Sequence, residues 1–431
     1  MTTRREFIQR SVAGATVLGG LSLTRAAYAQ GNDLIKVGLV GCGGRGGGAA
    51  VNILENVSHP NVKLVACADA FSSCLEGRLS AIARRCGDKV DVPPERRFVG
   101  LDAYKKLMET DVDIVLLCSP PGFRPAQFEA AVAAGKHAFL EKPVATDGPG
   151  TRRVAAANEI AKQKGLAVAV GHHLRHEKKH IEPIERIRNG EIGEVLYYRA
   201  FFNSGGVWVR PRKPDQTEME HQVSNWYYFN WLSGDHIVEQ HVHDLDVCNW
   251  MAGAHPVEAQ GVGGRQVRVG PNYGEIYDHH TVEYTYADGT RMFSFCRHMP
   301  GCWGSFSEHA YGSNGSLSIS GHGTSTLSVE GKDPVSWRRD ADGHQTEMDD
   351  LMAALIAGEP YNEGKHGVEG TMTAILGRMA TYSGKIVTWD EAMASELDLH
   401  PETLAFDATP KVLPGPDGIY PCAIPGKTKA F

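Results

Sequence analysis

Residues 34–48 read LIKVGLVGCGGRGGG. Ile35, Val37, Leu39 and Val40 place apolar side chains as a short buried strand does. Gly41, Gly43 and Gly46 follow as G-x-G-x-x-G, and Ala49, Ala50, Val51, Ile53 and Leu54 supply the apolar side of a helix. Strand, glycine turn and helix, in that order, form the setting in which this motif signals dinucleotide binding. Gly41 permits the tight turn, and Gly43 lets the backbone approach a pyrophosphate. The free N–H groups of the first helical turn then face the phosphates. Gly44 and Arg45 lie in the same turn and are read with it as cofactor-binding residues.

Working outward, residues 62–69 (VKLVACAD) read as a second strand ending in Asp69, about 20 residues past the glycine turn. A carboxylate there either holds the adenosine ribose hydroxyls or caps the next helix. In the first role it repels a 2′-phosphate, which favours NAD over NADP. Segments 74–86 and 102–109 look helical. The continuous apolar run 112–118 (VDIVLLC) suits a central parallel strand and stops at Ser119-Pro120-Pro121. A helix over 124–134 and a strand over 137–140 lead to Glu141-Lys142-Pro143. This alternation predicts a doubly wound parallel sheet, whose ligands sit beyond the carboxyl ends of the strands. Ser119 and Glu141-Lys142 fall at such ends, and a lysine followed by proline there is a candidate for proton chemistry.

The glycine turn, the Ser-Pro-Pro at 119–121 and Glu141-Lys142-Pro143 together resemble the glucose–fructose oxidoreductase / inositol dehydrogenase (Gfo/Idh/MocA) family over about residues 34–395. The resemblance implies an N-terminal Rossmann domain and a C-terminal α/β domain with an open, mostly antiparallel sheet. It also implies that Lys142 sits beside the nicotinamide and the substrate hydroxyl, with Ser119, Pro120, Pro121, Arg124 and Glu141 around the cofactor. Arg124 stands where many relatives carry histidine.

The second half offers the substrate residues. A helix over 148–164 and a strand over 166–170 close the first unit. Gly171-His172-His173-Leu174-Arg175-His176 then leaves a strand end toward the cleft, which nominates Arg175 and His176. After a helix over 178–189 and a strand over 194–203, residues 204–232 carry Trp208, Trp226, Tyr227, Tyr228, Phe229 and Trp231, interleaved with Arg210, Arg212 and Lys213. Aromatic faces stack on sugar rings while polar neighbours bind hydroxyls. The same composition also describes a loop packed by its own aromatics, or a subunit interface.

Residues 235–246 read DHIVEQHVHDLD. Ile237, Val242, Leu245 and Val247 suit one side of a helix, on which Glu239 and His243 share a face. A carboxylate beside an imidazole orients it and raises its basicity, useful for taking a hydroxyl proton. His243 is either that base or a satisfied core histidine. The family pattern, an acid and then a histidine followed by acids, favours catalysis, with Glu239 tuning His243 and His236 near the substrate. No H-E-x-x-H or other tight ligand spacing occurs, so no metal ligand is assigned.

Residues 256–330 alternate as a sheet of five or six strands, with an Asp288-Gly289 hairpin turn. One face covers the cleft and the other pairs subunits, as the resemblance implies for a homo-oligomer, dimer or tetramer. Helices near 345–357 and 366–383 return toward the first domain, and the proline- and glycine-rich tail is an arm on the body or on a neighbour.

The bulk properties agree. The chain has 431 residues, 42% hydrophobic and 22% charged, enough for two domains. A net charge of −7 gives no reason to expect a nucleic-acid or acidic-membrane surface. Nine scattered cysteines without C-x-x-C form neither a disulfide framework nor a zinc pattern. Arg4-Arg5 ahead of an apolar run over 12–23 and Ala27-Tyr28-Ala29 read as a twin-arginine export signal, too short and glycine-rich to span a membrane well. The domain reading is therefore signal 1–29, NAD-binding domain 34–171, substrate and oligomerisation domain 172–343, returning helices 344–395 and tail 396–431. The functional expectation is a periplasmic or secreted NAD-dependent oxidoreductase transferring hydride between a sugar or glycoside hydroxyl and a tightly held nicotinamide. The alternatives are a redox-neutral glycosidase, acting by oxidation, elimination, hydration and reduction, and a non-catalytic sugar-binding protein.

Overall fold

The computed structural model describes residues 33–339 and 341–431, so the export signal expected at residues 1–29 lies outside the described residues. Six strands form the first sheet: β1 (Ile35–Val40), β2 (Val62–Asp69), β3 (Arg97–Val99), β4 (Ile114–Leu117), β5 (His137–Leu140) and β6 (Val168–Val170). All pairs are parallel and the order is β3-β2-β1-β4-β5-β6. The order reverses between β1 and β4, which opens a crevice at their carboxyl ends. Apolar side chains on both faces explain the continuous hydrophobic runs. Ile35, Val37 and Leu39 pack with helices Gly44–Leu54 and Ser72–Cys86 on one side, while Val115, Leu117 and Leu140 pack with the opposite layer.

The second sheet has nine strands, six of them within residues 256–330 as expected: β7 (Val195–Ser204), β8 (Glu258–Gly264), β9 (His279–Thr285), β10 (Arg291–His298), β11 (Ser305–Gly312), β12 (Gly315–Ser320), β13 (Ser325–Val329), β14 (Val335–Trp337) and β15 (Val387–Thr388). Their order is β14-β13-β12-β11-β7-β10-β9-β8-β15, antiparallel except for the β7–β10 pair. Outside that stretch stand β7, expected as the strand over 194–203, and β14 and β15, whose three and two residues are too few to show a pattern. The Asp288-Gly289 turn joins β9 to β10, with Gly289 at φ 89°.

Two returning helices knit the sheets together. Helix Gly343–Ala357 inserts Met348, Leu351, Met352 and Leu355 into the core of the first sheet, about 1.5–3 kcal/mol for each side chain. Helix Gly364–Ser383 is buried along most of its length, because it lies between helix Gly148–Gln163 and the second sheet. The tail crosses both halves. Leu399 N–H donates to Asp147, His400 Nε2 meets the Gly122 carbonyl, and Gln222 Nε2 donates to the Val412 carbonyl. All nine cysteines are free thiols. Among the described residues no helix is long and apolar enough to cross a membrane.

Candidate active site

The glycine turn closes on itself for reasons specific to each position. A Cβ at Gly41, which has φ 95°, would stand 2.4 Å from Ser119 N, and one at Gly46 would stand 1.9 Å from the Gly41 carbonyl oxygen. Gly43 and Gly44 differ: nothing lies within 4 Å of where their Cβ atoms would be. They border an open cleft, and helix Gly44–Leu54 begins there without a side-chain cap. Its first N–H groups remain available to a phosphate. Asp69 does not cap the following helix. Its Oδ2 accepts from Cys42 N–H at 2.7 Å and its Oδ1 from Phe71 N–H at 2.9 Å. That fixes the carboxylate on the cleft wall, with lone pairs left for ribose hydroxyls. These residues fit the adenosine and pyrophosphate parts of NAD.

The aromatic stretch folds over this cleft rather than forming a separate sugar platform. Trp208, Arg210, Trp226 and Tyr227 line it opposite Asp69, Phe71 and Tyr104, with Ser119, Pro120, Glu239 and Gln240 farther along. Arg210 lies over Trp208 at 4.3 Å and donates to the Ser224 carbonyl. Phe71, Tyr104 and Gln240 carry no signal in sequence, because only the fold brings them to one surface. Pro121 opens a buried 3-10 turn and does not line the cleft.

At the far end, Lys142 leaves the end of β5 and donates to Glu239, to the carbonyl at 2.6 Å and to Oε1 at 3.2 Å. Burial raises the Glu239 carboxyl above its ordinary range, against the pull of Lys142. The expected single helix over 235–247 is instead two: His236–Glu239 and Val242–Ala252, broken at Gln240-His241. The i,i+4 relation fails across that break. Glu239 therefore serves Lys142 rather than His243, which corrects the expected pairing. Burial first, then the charge of Lys142 and the neighbouring histidines, hold His243 well below the usual histidine range. The His243 ring meets His173 edge-on at 4.9 Å, and His173 stacks on His344 at 4.0 Å. His344 stands at the start of helix Gly343–Ala357, far along the chain, and no local pattern marks it.

Around this centre the polar groups divide by function. Arg45 bonds Glu141 at 2.5 Å and stands 3.8 Å from Glu347. Burial works to raise Glu141, yet Arg45 and Lys142 keep it lowered, while burial pushes Glu347 up to about 6. Arg124, expected at the nicotinamide, is 1% exposed. Its guanidinium donates to the carbonyls of Leu117, Pro143 and Ser119, so it ties the ends of β4 and β5 together beneath Lys142. Arg175 and His176 are likewise engaged away from the expected substrate role. Arg175 forms two bonds to Asp246, at 2.7 and 2.9 Å, and lies over Trp250. His176 bonds Asp350 at 2.7 Å and stands 3.2 Å from Glu363. His236 is fully buried and stacked on His298 at 4.4 Å, behind Tyr227.

Comparison with known proteins fits this geometry. Residues 35–172 match the oxidoreductase family, NAD-binding Rossmann fold (GFO_IDH_MocA), and residues 184–383 match the oxidoreductase family, C-terminal alpha/beta domain. The scyllo-inositol 2-dehydrogenase (NAD(+)) of Bacillus subtilis strain 168 is 26% identical over 229 residues, 53% of this chain and 57% of that protein. A glycosyl hydrolase family 109 protein of Shewanella sp. strain W3-18-1 is 22% identical over 197 residues, 45% of this chain and 39% of that one. The matched stretches thus span about two-fifths to three-fifths of these relatives. The crystal structure of aldose-aldose oxidoreductase from Caulobacter crescentus complexed with glycerol superposes with a TM-score of 0.65 and 19% identity, covering 83% of this chain and 100% of that one. At that identity the likeness concerns the fold.

Proposed function

This chain belongs to the Gfo/Idh/MocA oxidoreductase family, and from that premise we propose that it oxidises and reduces a secondary hydroxyl of a sugar, glycoside or polyol. The observation that carries the reading is the meeting of Lys142, Glu239 and His243 at the strand ends beside the glycine cleft. The NAD-binding domain fits its cofactor through the open Cβ positions of Gly43 and Gly44, the bare helix start and Asp69. NAD, when bound, supplies a ring that accepts hydride.

The protein supplies the proton chemistry. Lys142, anchored on Glu239, is aimed from the first sheet toward the second, where it can donate to a substrate oxygen. His243 is buried and held neutral, which leaves its imidazole able to take the hydroxyl proton. Oxidation removes a C–H hydrogen as hydride and the O–H hydrogen as a proton, and the imidazole takes the latter. The imidazolium so formed is disfavoured by burial and by Lys142. It returns its proton readily, which suits a reaction that must run in both directions.

Cofactor retention completes the proposal. Trp208 and Arg210 roof the adenosine end of the cleft, and the tail secures that roof. A retained cofactor suits an enzyme exported by the twin-arginine signal at residues 1–29, where no free dinucleotide replenishes it. A second carbonyl compound then returns the cofactor to its starting state. The outer face of the second sheet, with Phe201 stacked on Phe295 at 5.1 Å and Trp303 64% exposed, is the surface we assign to pairing with a second copy.

Purified protein should be denatured and the released small molecules weighed, then native protein mixed with candidate sugars while the near-ultraviolet band of reduced nicotinamide is followed. Released NAD(H), with band changes on adding sugar, is the expected result. Folded protein that releases no dinucleotide and changes no sugar would overturn the proposal. Glycoside cleavage with no net band change and with solvent deuterium next to the oxidised carbon would replace it with the redox-neutral glycosidase reading.

A further inference from the structure

Behind Tyr227, and outside the centre just described, lies a fully buried group of polar side chains. Asp235 caps and His236 opens the short helix that carries Glu239, and His280 and His298 project from β9 and β10. Asp235, His236 and His280 place one donor atom each within 4.8 Å of one another. His236 Nε2 stands 3.8 Å from Asp235 Oδ1, and His280 Nε2 stands 3.2 Å from Asp235 Oδ2.

The hydrogen bonds around the group leave its centre short of positive charge. His280 Nδ1 is 2.9 Å from Thr381 Oγ1, whose hydroxyl hydrogen goes to the Arg378 carbonyl. Thr381 therefore accepts from His280 Nδ1–H, which in the neutral ring leaves Nε2 a bare lone pair facing a carboxylate oxygen. Asp235 is fixed by donors on both oxygens: Tyr277 N–H at 2.9 Å and Tyr382 O–H at 2.6 Å on Oδ2, and His236 N–H on Oδ1. His236 is 0% exposed, yet neither of its ring nitrogens has a hydrogen-bond partner, and the same holds for both nitrogens of its stacked neighbour His298. A proton on His280 Nε2 would satisfy the contact with Asp235 and still leave His236 wholly unpartnered. Buried polar atoms without partners are uncommon and costly.

We propose that Asp235, His236 and His280 bind a divalent cation of the zinc class, with the unpartnered His298, stacked on His236, as the source of a fourth ligand. One such ion satisfies the facing lone pairs at once. Zinc takes nitrogen and carboxylate ligands at about 2.0–2.2 Å in a tetrahedron, which puts neighbouring donors roughly 3.3 Å apart. The observed separations, 3.2 Å to Asp235 Oδ2 and 3.8 Å to Oδ1 with all three donors within 4.8 Å, are brought to that spacing by modest side-chain rotations. The surroundings match those of metal ligands in general, a histidine whose second nitrogen is hydrogen-bonded and a carboxylate that accepts further donors. The ligands come from positions 45 residues apart (280 − 235), so no compact motif announces them. The ion would pin the segment leading to Glu239 onto β9, a structural role with no part in hydride transfer.

The test is the metal content of the full chain, expressed with zinc in the medium and passed through a chelator. The expected result is one equivalent of zinc per chain, falling below about a tenth of an equivalent in both His280→Phe and His236→Phe. Protein produced in cobalt medium should show visible ligand-field bands. Folded wild-type protein without metal, whose melting temperature ignores added zinc, would overturn the proposal. So would variants that keep the metal, since it then sits elsewhere. Should both variants fail to fold, the wild-type metal content and cobalt spectrum decide alone. The site stands or falls independently of dinucleotide release.

Discussion

The Lys142 ammonium reaches across from the first sheet and donates twice to Glu239, to its carbonyl at 2.6 Å and to Oε1 at 3.2 Å. Both side chains are about one-tenth exposed, so little water screens the pair. Two consequences follow. The amine is held in a fixed place, and the carboxylate offsets its charge. Burial raises the Glu239 carboxyl, so it protonates earlier than an ordinary glutamate as pH falls, and protonation removes that offset. Glu239→Gln is therefore expected to lower kcat by roughly 10²-fold. It should also abolish the acid limb of the pH profile, since the amide cannot titrate. An unchanged acid limb in the variant would assign it to another group. A drop in melting temperature with kcat intact would make Glu239 structural.

The glycine turn separates affinity from folding. Gly43 has φ −78° and open space beyond it, so Gly43→Ala should fold normally while its methyl group projects where the dinucleotide lies. Gly46→Ala drives its methyl into the Gly41 carbonyl at 1.9 Å and must open the turn. We expect Gly43→Ala to keep its melting temperature within about 1 °C of wild type and lose at least tenfold in NADH affinity, by fluorescence titration. Gly46→Ala should lose both. Equal affinity in Gly43→Ala and wild type would show that the phosphates bind elsewhere.

These two cases show what was legible in the sequence. The turn from Gly41 to Gly46 is announced by its own spacing: Gly46 answers to the Gly41 carbonyl, Gly41 to Ser119 just past β4, Gly43 and Gly44 to the open cleft, and the flanking apolar runs betray the layers. The role of Glu239 was not legible, because it hangs on a two-residue break at Gln240-His241 and on a lysine 97 residues away. Arg124 misled for a related reason. Its place in the chain matches a cofactor contact, but three backbone carbonyls meet its guanidinium in the interior. Residue type and spacing report what a side chain can do, while the break, the crossing and the burial decide which partner it finds. His344 reaches His173 from a helix whose own pattern says nothing of ligands.

His176 gives a pH prediction for stability. It joins two returning segments, through Asp350 on helix Gly343–Ala357 and Glu363 before helix Gly364–Ser383. Burial acts to lower it, but bonds to Asp350 and Glu363 carry it up to about 10. An unfolded histidine titrates near about 6.5. The folded value is the higher one, so the stabilisation is complete below about 6.5 and is lost as pH rises through 10. His176→Gln should cost about 2–3 kcal/mol at pH near 6 by urea unfolding, and the gap from wild type should shrink at pH above about 10. A gap constant with pH would mean that His176 acts by packing alone.

The tail offers the most direct handle on cofactor retention. Phe406 stacks on Phe71 of the cleft wall at 5.4 Å, and its carbonyl accepts from Thr217 Oγ1 at 2.5 Å. Tyr420 O–H donates to Glu218 at 2.6 Å. Thr217 and Glu218 begin the helix that ends beside Trp226, so the tail fastens the roof of the cleft to its floor. If these contacts hold the roof closed over a dinucleotide, loosening them speeds its release. Phe406→Ala removes the stack, and Phe406 takes no part in the contacts that hold Lys142, Glu239 and His243. The expected result is a dinucleotide off-rate faster by about tenfold, equivalent to about 1.4 kcal/mol, and protein that purifies with less NAD(H) bound. Turnover should recover when NAD is added to the assay. A lower melting temperature with an unchanged off-rate would reduce the tail to a structural brace, and retention would then rest on Trp208 and Arg210 alone.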